Sequence, residues 1–281
     1  AINTTTVMIC VNPNQTFLNM ERTLLLTEIE TLLNCAQFKD YCPNGLQIQG
    51  HNSITKIACA VTASAAVIEQ ATLWGADALL VHHGYFWRGE DASIVGMKYQ
   101  RVRRLMQADM NLIAYHLPLD AHPVLGNNAQ LASLLGISVL RTLEADNPRS
   151  LGLVGELDVP LSGEEFAERL AARLGRTPLY CPGNAGDVIR RIGWCSGGGQ
   201  SYINLAAEQG LDGFFTGKGD GFCIAINPHD EEPHHQQEEA DDQARHQANH
   251  EQLGDRQLHR RTEQDEVGRG RDDRTEDRAR R

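Results

Sequence analysis

The stretch Ala78-Leu-Leu-Val-His-His-Gly-Tyr-Phe-Trp87 constrains the fold more than any other part of the sequence. Four apolar residues run without a polar break into two histidines, a glycine and three aromatics. So short an apolar run, closed by glycine, fits a strand covered on both faces, the usual state of strands in parallel sheets. Parallel neighbours cannot be joined by a tight turn and need crossovers, usually helical. The run therefore implies an α/β chain with His82 and His83 at the carboxyl end of a strand, where open α/β sheets bind ligands. Imidazole is also the commonest side-chain ligand of transition metals.

The flanking sequence fits that frame. Apolar residues recur at helical spacing over 20–33 (Leu24, Leu25, Ile29, Leu32, Leu33). Cys42-Pro-Asn-Gly45 is a turn signal. A strand is expected over 57–61, then a helix capped by Ser64 and stopped by Gly75. After the strand at 78–81, a helix is expected over 93–108 and a strand over 112–115, ending at His116-Leu-Pro-Leu-Asp120. Asn127 or Asn128 caps a helix ending at Gly136, and Ser162-Gly-Glu-Glu165 has the pattern of a capping box opening a helix through 174. A strand over 189–195 runs into Gly197-Gly-Gly199, and a helix over 201–209 precedes a last strand over 211–215. The alternation implies a mainly parallel sheet.

Composition bounds the rest. The 281 residues carry a net charge of −11, which disfavours general binding to nucleic-acid phosphates. No apolar stretch approaches the roughly 20 residues of a membrane span, and no export signal opens the sequence. The cysteines (10, 35, 42, 59, 181, 195 and 223) are odd in number and contain no CxxC pair, which points to a reducing, cytoplasmic setting. Residues 227–281 differ from everything before them: sixteen acids, ten arginines and seven apolar residues, with no aromatic. Such a segment cannot bury enough surface to offset its ordering entropy, so a disordered polar tail is expected there. Its six histidines, His234-His235 included, read as part of a solvated run rather than a metal site.

The candidate chemistry gathers at two strand ends. Neighbouring residues of a strand point to opposite faces, so His82 and His83 cannot share one ion from regular strand geometry. Either the strand has ended by His83, or each histidine serves a different ion of a two-metal site. Asp120, beyond the end of the next strand, is the leading carboxylate; Glu90 and Asp91 are weaker candidates. His116 is either a further donor or a partner that orients Asp120, and His122 reads more readily as a loop residue. Gly197-Gly-Gly199 could cradle a phosphate at a helix start but lacks a dinucleotide fingerprint and a P-loop lysine, so a plain turn is the simpler reading. Packing is the simpler role for Tyr85, Phe86 and Trp87, and a solvated helix face for Arg101, Arg103 and Arg104.

Seven motifs occur in order: Pro43-Asn-Gly-Leu-Gln47, Val61-Thr-Ala-Ser64, Gly75-Ala-Asp77, Val81-His-His-Gly-Tyr-Phe-Trp87, His116-Leu-Pro-Leu-Asp-Ala-His122, Gly126-Asn-Asn128 and Gly197-Gly-Gly-Gln-Ser201. Together they closely resemble the YbgI-type members of the GTP cyclohydrolase 1 type 2 homologue family, also called NIF-three-like, over about residues 20–216. The resemblance implies a three-layer α/β sandwich with a mainly parallel or mixed sheet. It further implies a toroidal homohexamer and a dinuclear centre of two divalent ions (Zn, Fe, Mn, Ni or Mg) with His82, His83 and Asp120 among the ligands. It implies a metal-dependent hydrolase of GTP cyclohydrolase type acting on a nucleotide or other small molecule, with no catalytic residue identified.

Two departures from the pattern set further expectations. The family begins near Met20, so residues 1–19 read as an extension, residues 20–226 as the metal-binding domain and 227–281 as the tail. After Phe215-Thr-Gly217 the family continues into elements carrying a Gly-His-His-Ala-Thr-Glu type motif, with a further histidine ligand and a glutamate; here Lys218-Gly-Asp-Gly221 and the polar run follow. The fold is accordingly expected to lack the final family elements, with a sheet edge left unpaired, and the function to be impaired. A frameshift near Gly217 would explain the change. A ring-forming scaffold that binds metal without turnover, or an inactive product, are the alternatives.

Overall fold

A computed structural model describes residues 8–9, 19–183, 187–218 and 221–226. The polar run 227–281 and nearly all of 1–19 lie outside the described residues. In chain order the strands are β1 (Met8–Ile9), β2 (Met20–Glu21), β3 (Gly45–Ile48), β4 (Ser53–Ile54), β5 (Ile57–Thr62), β6 (Ala78–His83), β7 (Asn111–Ala114), β8 (Ile137–Thr142), β9 (Leu153–Ser162), β10 (Leu179–Cys181), β11 (Val188–Cys195), β12 (Gly213–Lys218) and β13 (Gly221–Ile226). The helices are α1 (Arg22–Leu33), α2 (Ala65–Trp74), α3 (Gly96–Gln107), α4 (Leu117–Asp120), α5 (Asn127–Leu135), α6 (Gly163–Leu174) and α7 (Tyr202–Glu208).

The first sheet has the order β1-β5-β6-β7-β3. Its centre, β5, β6 and β7, is parallel and joined through α2 and α3; β1 and β3 pair antiparallel at the edges. Side chains of β6 alternate between two cores. Leu79 and Val81 pack under α2 and α3 with Val67, Ile68, Val102, Leu105 and Leu112. Ala78 and Leu80 pack on the other face with Leu25, Ile29 and Leu33 of α1 and with Ile113. The strand is thus apolar throughout because helices cover both sides, a three-layer arrangement. Ile68, Leu79, Leu105 and Leu112 are fully buried, each contributing roughly 1.5–3 kcal/mol by transfer from water. The Ser64 hydroxyl accepts from Val67 N–H at 3.3 Å, and Gly75 ends α2 with φ 72°. That left-handed conformation is cheap only for glycine.

The second sheet departs from the parallel expectation. Its order is β10-β13-β12-β11-β9-β8, with β11–β12 and β10–β13 parallel and the other pairs antiparallel. Pairing β8 with β9 and β12 with β13 needs only short connections, which strand–helix alternation does not anticipate. Strand β12 lies between β11 and β13, and among the described residues β8 and β10 are the edges. Helices α5 and α6 cover one face through Ala132, Leu135, Phe166 and Leu170 over Ile189, Ile192, Trp194 and Phe215. Helix α7 covers the other through Ala206 over Val154, Leu211 and Phe214. Trp194 stacks on Phe215 with ring centroids 6.0 Å apart, and a Cβ at Gly155 would run into Ile137, the Ser138 carbonyl and the Trp194 ring. The capping box forms as the pattern predicts: Ser162 Oγ accepts from Glu165 N–H and Glu165 Oε2 from Ser162 N–H. Among the described residues no helix is long and apolar enough to cross a membrane.

Candidate metal centre

The parallel centre of the first sheet determines where the chemistry gathers. Val81 is in register with Ala114, so β6 and β7 end side by side and deliver His82, His83 and His116 to one edge. The chain then folds into the single turn α4, with Asp120 N–H donating to the His116 carbonyl at 3.0 Å. Asp120 therefore returns over the end of β6, where its Oδ2 lies 3.5 Å from His82 Nε2.

The pair of histidines departs from simple strand alternation. Both remain in β6, His83 still in register with Thr62, yet their rings are only 4.5 Å apart between centroids. Alternation of side chains separates Cβ atoms, not ring tips. Beyond Val81–Ala114, the last rung shared with β7, the two long imidazoles lean along the strand toward the same edge. His116 completes the group, with centroids 4.9 Å from His82 and 5.7 Å from His83. One ligand atom from each of the three lies within 4.8 Å of the others, so they could hold one ion.

The hydrogen bonds fix what these atoms offer. His82 Nδ1 is 3.0 Å from the Tyr115 carbonyl, which can only accept, so Nδ1 carries the proton and Nε2 presents a lone pair. That lone pair faces a carboxylate whose other oxygen, Oδ1, already accepts from Asn127 Nδ2 at 2.7 Å. Two acceptors aimed at each other in a site whose side chains are 11% and 12% exposed repel unless a cation or a proton lies between them. Burial pushes the His82 imidazole below its usual pKa against the opposing pull of Asp120. His83 is pushed down to about 4 by burial and by its two histidine neighbours.

Of the two roles open to His116, the structure groups it with His82 and His83 as a further donor. It does not orient Asp120; its Nδ1 sits 2.8 Å from Oδ1 of Asp40, a residue that no pattern in the sequence singles out. The Asp40 side chain is 3% exposed. Burial alone would raise its pKa, but bonds from His116, Asn44, Leu117 N–H and Tyr41 N–H outweigh that and hold it down at about 2. The buried thiol of Cys42 lies beside this pair, so that Asp40, Cys42 and His116 also bring ligand atoms within 4.8 Å; burial and Asp40 push that thiol up to about 11.

The remaining candidates stand apart. His122 Nδ1 accepts the N–H groups of Val124 and Leu125, a loop role. Glu90 pairs with Lys98 and caps Trp87 N–H, and Asp91 binds Ser93 N–H. The Tyr85 hydroxyl donates to the Ala63 carbonyl, and Phe86 packs on the first core with Lys98 over its ring. Trp87 turns its ring edgewise to His83 and His116, at 5.9 and 5.0 Å, and so walls the centre. Arg103 and Arg104 are exposed, as a solvated helix face requires, and Arg101 is half-buried. In the glycine loop, Ser196 N–H donates to Asn128 Oδ1 and Gly199 N–H to Thr216 Oγ1, while Gly197 N–H bonds the Cys195 thiol. Those donors are committed, and the following helix is a mere seven residues, so the loop behaves as a turn. Asn127 and Asn128 are not the cap of α5, which is Gly126; their side chains tie Asp120 and the glycine loop to that helix.

Comparison with known proteins follows the same boundaries. Residues 20–220 match the family described as Duf34/NIF3 (NGG1p interacting factor 3). A GTP cyclohydrolase 1 type 2 homolog of Escherichia coli (strain K12) is 51% identical over 196 residues, covering 68% of this chain and 77% of that protein. The homolog of the same description from Vibrio cholerae is 54% identical over 196 residues, with the same coverage. The solved structure described as protein ybgI, unknown function, superposes with a TM-score of 0.68 at 45% identity, covering 75% of this chain and 89% of that one.

Proposed function

Since the chain belongs to the Duf34/NIF3 family, we propose that it binds divalent metal at the edge of the first sheet and is a metal-dependent hydrolase of the GTP cyclohydrolase 1 type 2 homolog class. The observation that carries this reading is the His82 Nε2 lone pair facing the Asp120 carboxylate at 3.5 Å. Nitrogen and oxygen ligands each about 2.0–2.2 Å from a shared ion stand roughly that far from one another. Three imidazoles and a carboxylate are a donor set suited to zinc, iron, nickel or manganese, and less to magnesium, which prefers oxygen.

His82, His83, His116 and Asp120 would hold the metal, and the family resemblance favours two ions. A bound ion supplies Lewis acidity toward a substrate oxygen and lowers the pKa of water toward ~7. The chain itself contributes orientation. The Tyr115 carbonyl fixes His82, Asn127 fixes Asp120, and the Trp87 ring limits access from the side of His83 and His116. A homohexameric ring in the cytoplasm is part of the same reading. Large apolar side chains left open on the subunit, such as Leu73 at 83% exposure, support assembly.

The donor set among the described residues lacks the further histidine and glutamate that the resemblance implies after residue 217. Metal binding is therefore expected to be weaker, and turnover lower, than with a complete set; a metal-binding scaffold is the second reading for the same reason. Protein stripped with chelator and reloaded with zinc, manganese, nickel, iron or magnesium separates the two when offered GTP and other nucleotides. Hydrolysis that returns with one ion and not with buffer supports the enzyme. Stoichiometric metal with no hydrolysis of any nucleotide favours the scaffold.

A further inference from the structure

Asp40 is not among the donors His82, His83, His116 and Asp120, yet four donors bond its two oxygens. Its Oδ1 accepts from His116 Nδ1 at 2.8 Å and from Tyr41 N–H at 2.6 Å. Its Oδ2 accepts from Leu117 N–H at 2.8 Å and from Asn44 Nδ2 at 2.9 Å. Asn44 closes the arrangement, its Oδ1 accepting His116 N–H at 2.8 Å. The main chain around Asp40 is held in turn: Arg88 donates from Nη2 to the Asp40 carbonyl and from its N–H to the Tyr41 carbonyl. A surface carboxylate would not collect four donors on two oxygens. This one is built as a clamp on the segment between β7 and α4.

We propose that Asp40 is the positioning residue of the centre, fixing His116 in the tautomer protonated on Nδ1 and so turning an unprotonated Nε2 toward His82 and His83. The inference rests on the metal reading above and deepens it. A carboxylate cannot donate, so the proton between Asp40 and His116 belongs to the imidazole. The opposite ring nitrogen is then free as a ligand, and the ring is held in plane by a charge-assisted bond. Carboxylates behind histidine ligands commonly act this way, and their removal costs about 10- to 100-fold in metal affinity. The four donors also make an amide a poor substitute. In Asp40→Asn the NH2 group must face either the Leu117 and Asn44 donors or the His116 Nδ1, and in the second case it imposes the Nε2-protonated tautomer that blocks the metal-facing atom.

The test compares zinc affinity, by competition with a chromogenic chelator, in wild-type protein, Asp40→Asn, Cys42→Ser and His82→Ala. Unfolding midpoints are recorded for each, and the His116 tautomer is read from long-range 1H–15N spectra of metal-free wild type. The proposal expects Asp40→Asn to weaken zinc by about 10- to 100-fold while Cys42→Ser stays within about twofold of wild type. It also expects Nδ1–H on His116 before any metal is added, a reading that stands even if Asp40→Asn proves too unstable to titrate. Unchanged affinity in Asp40→Asn, or an Nε2–H tautomer in the wild type, would overturn it. So would the loss of one equivalent of zinc in both Asp40→Asn and Cys42→Ser, which would make Asp40 a ligand. Wild-type protein that binds no zinc would instead sink the metal reading, and the positioning role with it; the two failures are therefore distinct.

Discussion

Two strand ends in this subunit look alike in sequence and differ in chemistry. At the end of β6, His82-His83-Gly84 follows an apolar run; at the end of β11, Cys195-Ser-Gly-Gly-Gly199 does. Around β11 the polar groups find internal partners. Asn128 receives Ser196 N–H, Thr216 Oγ1 receives Gly199 N–H and donates to the Gly197 carbonyl, and Trp194 Nε1 donates to the Asn128 carbonyl. At the end of β6 the bonds do the opposite. They consume the Nδ1 atoms of His82 and His116 and one oxygen of Asp120, and they leave the remaining acceptors aimed at one another. The end of β6 is set apart by acceptors that the fold positions but does not satisfy, and position at a strand end alone does not distinguish the two.

Substitutions in the two regions should therefore separate. The largest expected effect is on stability. Phe215 is fully buried and packs on Trp194, Phe166 and Phe222. Phe215→Ala should cost about 3–5 kcal/mol in urea unfolding while the folded fraction keeps its zinc affinity, since its ring contacts are aromatic side chains and none is a candidate ligand. A large loss of zinc affinity in that variant would mean that the second sheet is part of the centre. Next comes Asn127→Ala, which releases Oδ1 of Asp120. Its zinc affinity should fall by about 10-fold with about 1 kcal/mol of stability lost, and no change in affinity would show that Asp120 needs no support from α5. The smallest effect is expected far from both regions. Ser162→Ala removes one half of the capping box and should lower stability by about 1 kcal/mol with zinc binding untouched.

Legibility in the sequence follows the same division. Strands β5 and β6 and helix α2 were readable because burial on both faces makes the strands plainly apolar and because Ser64 and Gly75 punctuate the helix. Among the strands the pattern does not reveal are several that their neighbours decide. β8 is an edge strand with residues 138–140 exposed, β9 carries Gly155 and Pro160, β10 is three residues long, and β13 pairs with both β12 and β10. At the centre, His82, His83 and Asp120 could be named from their place after two strands. Asp40 could not, because its bond to His116 spans 76 residues and lies between two turns with no shared periodicity. The nearest signal was the Pro43-Asn-Gly45 turn, whose Asn44 proves to be the second half of the clamp.

The central claim is that the end of β6 holds a divalent ion. It is tested most directly by metal analysis and zinc titration of the full chain beside two histidine variants. His82→Ala removes the lone pair that faces Asp120, whereas His122→Ala removes a ring already engaged with two backbone N–H groups. The account predicts measurable zinc binding by the wild type, its loss in His82→Ala and its retention in His122→Ala. Equal metal content in the wild type and His82→Ala, or none in either, would contradict it.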